Sequence, residues 1–361
     1  CTLNPDSPCP LKPGAWSGKL VQQTPTFAFP GDYNGVVNVY NQDNKVLTCV
    51  NFNITVVKKP TAAELQAQFM LDAQTPVLDD AMIAEINNAN IGWRAERNPL
   101  FEGMTMAEAK RLLHIDPNQV FENRPPPAIF ESAVAAPAEF DWRKQDSTCV
   151  HPIRNQGQCG SCWAFGATSA LTDRFCIASK HKFNEILSPQ YMVSCDKSNY
   201  GCQGGYLDRA WKFLEKTGTC TESCVPYASS GGSSPACPTK CKNGSAIKLY
   251  KIKKGSIVAP TGISSIQNTI MNNGPIEAAF TVYQDFYSYK SGVYQHKSGS
   301  VSGGHAIKII GWGVEPHNNI PYWIVANSWG TSWGLNGYFW ILRGKNECGI
   351  EANCIAGTPD I

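Results

Sequence analysis

The run Asn155-Gln156-Gly157-Gln158-Cys159-Gly160-Ser161-Cys162-Trp163 sets a glutamine and two cysteines ahead of an apolar stretch. A cysteine attacks as its thiolate, and the field of a helix N-terminus together with a nearby imidazolium favours that charge. From Ser161 to Ser179 the residues Trp163, Phe165, Leu171, Phe175 and Ile177 are spread over most of a helix circumference, which predicts a buried helix opened by Cys162. Cys162 is therefore a candidate nucleophile. In so cysteine-rich a chain it could also be a disulfide partner, and Cys159-x-x-Cys162 admits a redox or zinc reading. Zinc requires a second ligand pair at matching spacing, and Cys195 and Cys202 stand too far apart to supply one.

A thiol needs a base. Among six histidines, His305 follows Gly303-Gly304 and leads into the apolar run Ala306–Ile310, which places it at the start of a strand. A histidine there is commonly structural, but Ala326-Asn327-Ser328-Trp329-Gly330 closes another apolar run with an amide and an indole. An amide oxygen can fix the ring and tautomer of an imidazole, and an indole over that contact keeps water out.

The elements that would position these groups fall into successive regions. Residues 1–60 read as strands: Val46, Val50, Phe52, Ile54 and Val56 alternate with polar residues, and Val36–Tyr40 would pair with them through Asn41–Asn44. Cys1, Cys9 and Cys49 could tie this unit together. Helical spacing appears in Glu64–Leu71, in Met82, Ile83, Ile86 and Ile91, and from Met106 to Leu113, with Asp116-Pro117 as the stop. Arg124–Pro137 is rich in proline and alanine and reads as an extended, cleavable linker. Beyond Pro260, strands are predicted at Ile276–Val282, Ala306–Gly311, Tyr322–Ala326 and Tyr338–Leu342. A helical lobe followed by a β-rich lobe leaves a cleft for a site.

Composition narrows the function classes. The chain has 361 residues, 42% apolar and 17% charged, with a formal charge of +2. That suits a packed globular protein of two or three units. No run of Lys or Arg exceeds a pair, so a nucleic-acid footprint is missing, and no apolar stretch approaches the roughly 20 residues of a membrane span. Fifteen cysteines fit an oxidising compartment, and the odd number leaves at least one thiol free or paired with another chain. The sequons at Asn53 and Asn243 agree with a secretory route. The chain begins with Cys rather than Met, and is expected to have lost a signal peptide.

Taken together, Gln-Gly-x-Cys-Gly-Ser-Cys-Trp at 156–163, Gly-Gly-His-Ala at 303–306 and Asn-Ser-Trp-Gly at 327–330 resemble the papain family, and specifically its cathepsin B-like members. The resemblance runs from about Val77 to Pro359. It implies an α+β, two-lobed papain-like fold with a helical and a β-barrel-like lobe. The implied organisation is a small β-rich module at 1–75, an inhibitory propeptide at 76–135 and a peptidase domain at 136–361. Ile91-Gly-Trp-Arg-Ala95 and Met104-Thr-Met106 resemble the propeptide, which runs backwards through the cleft. The carried-over roles are Cys162 as nucleophile, His305 as base and acid, Asn327 as orienter and Gln156 as oxyanion donor. Gly204 and Gly205 would form the substrate rail, with Trp329 and Asn353 also on the substrate side. The implied disulfides are Cys149–Cys176, Cys159–Cys202, Cys195–Cys237 and Cys224–Cys241.

Two departures shape the expected specificity. The stretch Cys224–Cys241 lacks the histidine pair that makes cathepsin B a carboxydipeptidase, and Asn353 replaces the glutamate that pairs with arginine at P2. The expectation is an endopeptidase zymogen preferring apolar P2 residues, with no cofactor and no metal. Its partners would be protein and peptide substrates, its own propeptide and cystatin-like inhibitors. It would act as a monomer, in a lysosome or other acidic vesicle or secreted. The alternatives are a dipeptidyl aminopeptidase using residues 1–75 as an exclusion domain, and a catalytically silent binding relative.

Overall fold

The computed structural model describes residues 61–118, 120–128 and 135–361 with their side chains, and the backbone of 31–40 and 46–56. The linkage of Cys1, Cys9 and Cys49, glycosylation of Asn53 and the Glu131 end of the linker lie outside the described residues. In the N-terminal unit, β1 (Gly31–Tyr40) and β2 (Val46–Val56) pair antiparallel, from Gly31 opposite Val56 to Tyr40 opposite Val46. Helix α1 (Ala62–Asp72) follows.

Residues Met70–Ile361 form the second unit. Its first part holds α2 (Asp80–Ala89), β3 (Trp93–Ala95) and α3 (Met106–Lys110). Asp79 caps α2 by accepting from the Ala81 and Met82 amides at 2.8 and 3.2 Å. The helix stops at Asn90, whose φ of 48° is left-handed, so Ile91 falls outside the helix that its spacing predicted. Thr105 and Glu108 form a capping box on α3, worth about 1 kcal/mol. That helix ends at Lys110, earlier than the predicted Leu113, and His114 at φ 43° sends the chain onward extended.

The remainder comprises β4 (Phe140–Asp141), α4 (Trp142–Gln145), α5 (Cys162–Ala178), α6 (Pro189–Cys195), α7 (Leu207–Lys216), α8 (Ile263–Asn273), β5 (Ile276–Tyr283), β6 (Tyr289–Tyr294), β7 (Val301–Val314), β8 (Pro321–Ala326), β9 (Tyr338–Leu342) and β10 (Cys354–Ile355). One eight-stranded sheet runs β10-β5-β7-β8-β9-β6-β3, with β4 on β7. The strand β3 thus docks antiparallel on the edge of the sheet, Trp93 opposite Gly292.

Helix α5 is buried from Cys162 to Cys176 apart from Ser169, because apolar residues surround it. It meets the sheet at Gly166, where a Cβ would stand 2.5 Å from Glu277 Oε1. The Glu277 carboxyl accepts from Trp211 Nε1 at 2.6 Å, and burial pushes its pKa well above the ordinary carboxylate value. Near the other end of α5, the buried Arg174 guanidinium donates to the carbonyls of Pro275, Gly274 and Gly357 at 2.6, 3.0 and 3.1 Å. Those bonds tie the helix to the end of α8 and to the C-terminal segment.

One strand differs from its prediction. The sequence predicts His305 at the start of a strand after Gly303-Gly304, but β7 begins at Val301 and carries it inside the strand, opposite Phe280 on β5. Gly304 is needed within the strand because Ile115 bridges to it, and a Cβ would meet Ile115 O at 2.8 Å.

Candidate active site

Cys162 opens α5, and its amide and sulfur lie at the N-terminal end of the helix dipole. His305, on β7, places Nε2 2.7 Å from Asn327 Oδ1, at the end of β8. The amide oxygen can only accept, so Nε2 carries the hydrogen and Nδ1 is left with its lone pair. Among the described residues Nδ1 has no hydrogen-bond partner. Trp329 lies over the imidazole, with ring centroids 4.8 Å apart, and is buried itself.

The Gln156 amide is held by three bonds. Oε1 accepts from Ser328 Oγ at 2.7 Å, and Nε2 donates to Leu112 O and to Cys159 O, both at 2.8 Å. The Leu112 and Cys159 carbonyls can only accept, which fixes that end of the amide as NH2, facing the cleft. The Ser328 backbone N–H donates to Asn327 Oδ1 at 2.8 Å, so Ser328 steadies the side-chain amides of both Gln156 and Asn327. Tyr227, from the segment between Cys224 and Cys241, donates to Gln156 O and shares a hydrogen bond with Ser161 Oγ, both at 2.8 Å. Sequence reading missed Ser328 and Tyr227. Ser328 lies inside a quoted motif, whereas nothing local in the sequence marks Tyr227.

The cleft is filled by residues Leu112–Ile115. Cys162 Sγ donates to Leu113 O at 3.1 Å, beside the Leu112 carbonyl on Gln156. A Cβ at Gly204, φ 98°, would overlap His114 O, so the absent side chain admits this backbone. The open side of Gly205 is instead taken up by Asn199 and Trp163. The side chain of Ile115 joins the buried cluster that contains Leu207, Ala279, Ala306 and Ile355. Asn353 is partly buried and ties its Nδ2 to Gly349 O at 3.1 Å.

This occlusion dictates the electrostatics. Cys162 and His305 are both fully buried. Loss of water pushes the Cys162 thiol up to about 12. Burial likewise lowers the His305 imidazole to about 4, against the raising effect of its Asn327 bond. Both groups are therefore neutral, with the thiol hydrogen committed to Leu113 O rather than to His305.

Disulfides join Cys149 to Cys176, Cys159 to Cys202, Cys195 to Cys237 and Cys224 to Cys241. Among the described residues Cys162, Cys220, Cys348 and Cys354 remain thiols. Asn243 is exposed, and its Oδ1 accepts from the amide and hydroxyl of Ser245 at 3.0 and 2.7 Å.

The model of the papain family cysteine proteases matches residues 136–358. The chain belongs to that family. It is 43% identical over 287 residues to cathepsin B-like CP3 of Giardia intestinalis, spanning 78% of this chain and 94% of the relative. To cathepsin B-like cysteine proteinase 4 of Caenorhabditis elegans it is 40% identical over 320 residues, spanning 79% and 94%. The solved structure of proCathepsin B S9 from Trypanosoma congolense superposes with a TM-score of 0.74 at 33% identity, over 80% of this chain and 100% of that one. The protein is a cathepsin B-like cysteine peptidase in its zymogen form, with a papain-like α+β fold. Separately, the ML domain model matches residues 1–56. Among the described residues no helix is long and apolar enough to cross a membrane.

Proposed function

We propose that the mature protein is an endopeptidase that cleaves through an acyl-enzyme on Cys162 and prefers apolar residues at P2. The observation that carries this reading is the convergence of Cys162 Sγ and Gln156 Nε2 on adjacent carbonyls of one extended segment, with His305 held by Asn327. Once the segment leaves, the thiol hydrogen passes to His305 Nδ1. The thiolate then attacks the scissile carbonyl, and the oxyanion is held by Gln156 Nε2 and the Cys162 N–H. His305 gives its proton to the leaving amine, and later takes one from the water that hydrolyses the thioester.

Specificity follows from what lines the cleft. Ile115 occupies an apolar cluster with Leu207, Ala279 and Ala306, and Asn353 offers no charge to an arginine, whose burial without a partner costs free energy. With no histidine between Cys224 and Cys241, a substrate can continue past the scissile bond. Residues 76–135 act as the propeptide and 1–75 as a separate module; the ML-domain match over 1–56 favours that over an exclusion domain. The cysteine load and the Asn243 sequon, in an exposed turn, support a glycosylated monomer of an acidic vesicle or the extracellular space, open to cystatin-like inhibitors.

The test is an internally quenched peptide acetylated at its N-terminus and amidated at its C-terminus. Internal cleavage after a Leu-Arg pair is expected. Cleavage confined to unblocked peptides, by release of terminal dipeptides, would reject the endopeptidase reading.

A further inference from the structure

The propeptide's contacts continue past the cleft centre on the Gly204 side. There Arg209, in the first turn of α7, grips Glu122 with both arms: Nε to Oε2 at 2.9 Å and Nη2 to Oε1 at 2.7 Å. The guanidinium is pre-positioned by other bonds, since Nη1 donates to Ser198 O at 2.5 Å and to the Tyr200 hydroxyl at 3.1 Å. It also lies over the Tyr206 ring at 4.6 Å and the Tyr200 ring at 5.7 Å. When residues 76–135 are removed, Arg209 keeps its contacts with Ser198, Tyr200 and Tyr206 and loses its carboxylate. The neighbouring Asp208, fully buried, stays paired with Lys212 Nζ at 3.1 Å. What the mature enzyme exposes is a fixed guanidinium fork on an aromatic shelf, with two donors vacated.

We infer that Arg209, with Tyr200 and Tyr206, forms a subsite for an acidic side chain of the substrate, N-terminal to the scissile bond. This rests on the endopeptidase reading above, with substrate residues N-terminal to the cut running along Gly204, where the propeptide backbone now lies. The propeptide backbone runs opposite to a substrate, so the bonds from the Glu122 and Asn123 amides to Asp208, at 2.9 and 3.0 Å, are not reproduced. A carboxylate in a guanidinium fork has no such dependence on chain direction, because both bonds are made by the side chain. Glu122 in the zymogen therefore reports the chemistry that Arg209 selects in a substrate.

The experiment uses the mature enzyme and internally quenched peptides of one sequence, with Glu, Gln or Lys placed three, four or five residues before the scissile bond. At one of these positions Glu should exceed Gln in kcat/KM by about threefold to fivefold, the range of a partly exposed ion pair. The ratio should fall towards unity at about 0.5 M salt and in Arg209→Gln. Arg209→Glu should favour Lys instead, and Arg209→Lys should retain part of the preference. A Glu/Gln ratio of unity at all three positions in low salt overturns the inference, as does a preference that survives Arg209→Gln. If the variants fold poorly, the salt dependence of the wild-type ratio still decides. Hydrolysis without discrimination removes this subsite alone, whereas failure to cleave any of the peptides removes the endopeptidase reading with it.

Discussion

Replacing Tyr227 by Phe deletes one hydroxyl that touches both sides of the proposed oxyanion site. That hydroxyl donates to Gln156 O and meets the Oγ of Ser161, the residue before Cys162, at 2.8 Å each. Burial pushes the phenol up to about 12, so it remains a donor throughout the working pH range. Two such bonds contribute about 1–3 kcal/mol to holding the loop against the helix. Losing an oxyanion donor outright costs roughly 3–4 kcal/mol of transition-state stabilisation. Loosening the mounting of Gln156 should cost less, and a loss of about tenfold in kcat/KM, or roughly 1.4 kcal/mol, is expected. Three readouts on the mature enzyme separate the causes: hydrolysis, inhibition by a peptide aldehyde whose tetrahedral adduct puts an oxygen in the oxyanion site, and alkylation by iodoacetamide, which needs only the thiolate. Hydrolysis and aldehyde affinity should fall together while alkylation holds. An equal fall in alkylation, or no loss of hydrolysis, would refute the reasoning.

Asn353→Glu should raise the ratio of kcat/KM for Arg-Arg over Leu-Arg substrates, and a wild type already preferring Arg-Arg would remove Asn353 from the pocket. The full chain should be latent at neutral pH and mature on acidification, with cleavage between about Glu131 and Ala138. The Arg209 hydrogen bonds lower the Glu122 pKa below the ordinary 4.5, so this contribution to docking is present above that pH and lost as pH falls through the lowered value. Glu122→Gln should accordingly mature faster at a given mildly acidic pH, as seen by the time course of the mature band on a gel. Gly166→Ala should destabilise by about 1–3 kcal/mol in denaturant titration despite its better helix propensity, because its Cβ would press on Glu277 Oε1 at 2.5 Å.

What could be read from the sequence was whatever short-range pattern encodes. The all-round apolar run after Ser161 marked a buried helix with Cys162 at its start, and short apolar runs marked β5, β8 and β9 to within about two residues. Glycines misled where their reason lay far away: Gly304 is required by Ile115, 189 positions earlier by sequence number, so β7 starts before the glycine pair rather than after it. The early end of α3 follows from the same docking, since Leu112 and Leu113 give their carbonyls to Gln156 and Cys162 instead of to a helix. The support given by Ser328 and Tyr227, and the grip of Arg209 on Glu122, depend on side chains brought together only by tertiary structure, which periodicity does not encode. The capping box Thr105–Glu108 was available as a local signal, and marks the start of α3.

On the proposed mechanism, Cys162 carries the chemistry once the propeptide is gone. Its most direct test is mass spectrometry of the acid-matured enzyme after reaction with a thiol-directed peptidyl epoxide, alongside Cys162→Ala. One equivalent of label is expected, located on Cys162, with hydrolysis lost in parallel. A Cys162→Ala protein that still folds should show no label and no peptide hydrolysis. Label on Cys220, Cys348 or Cys354 that abolishes activity, or near-normal turnover by Cys162→Ala, would contradict it.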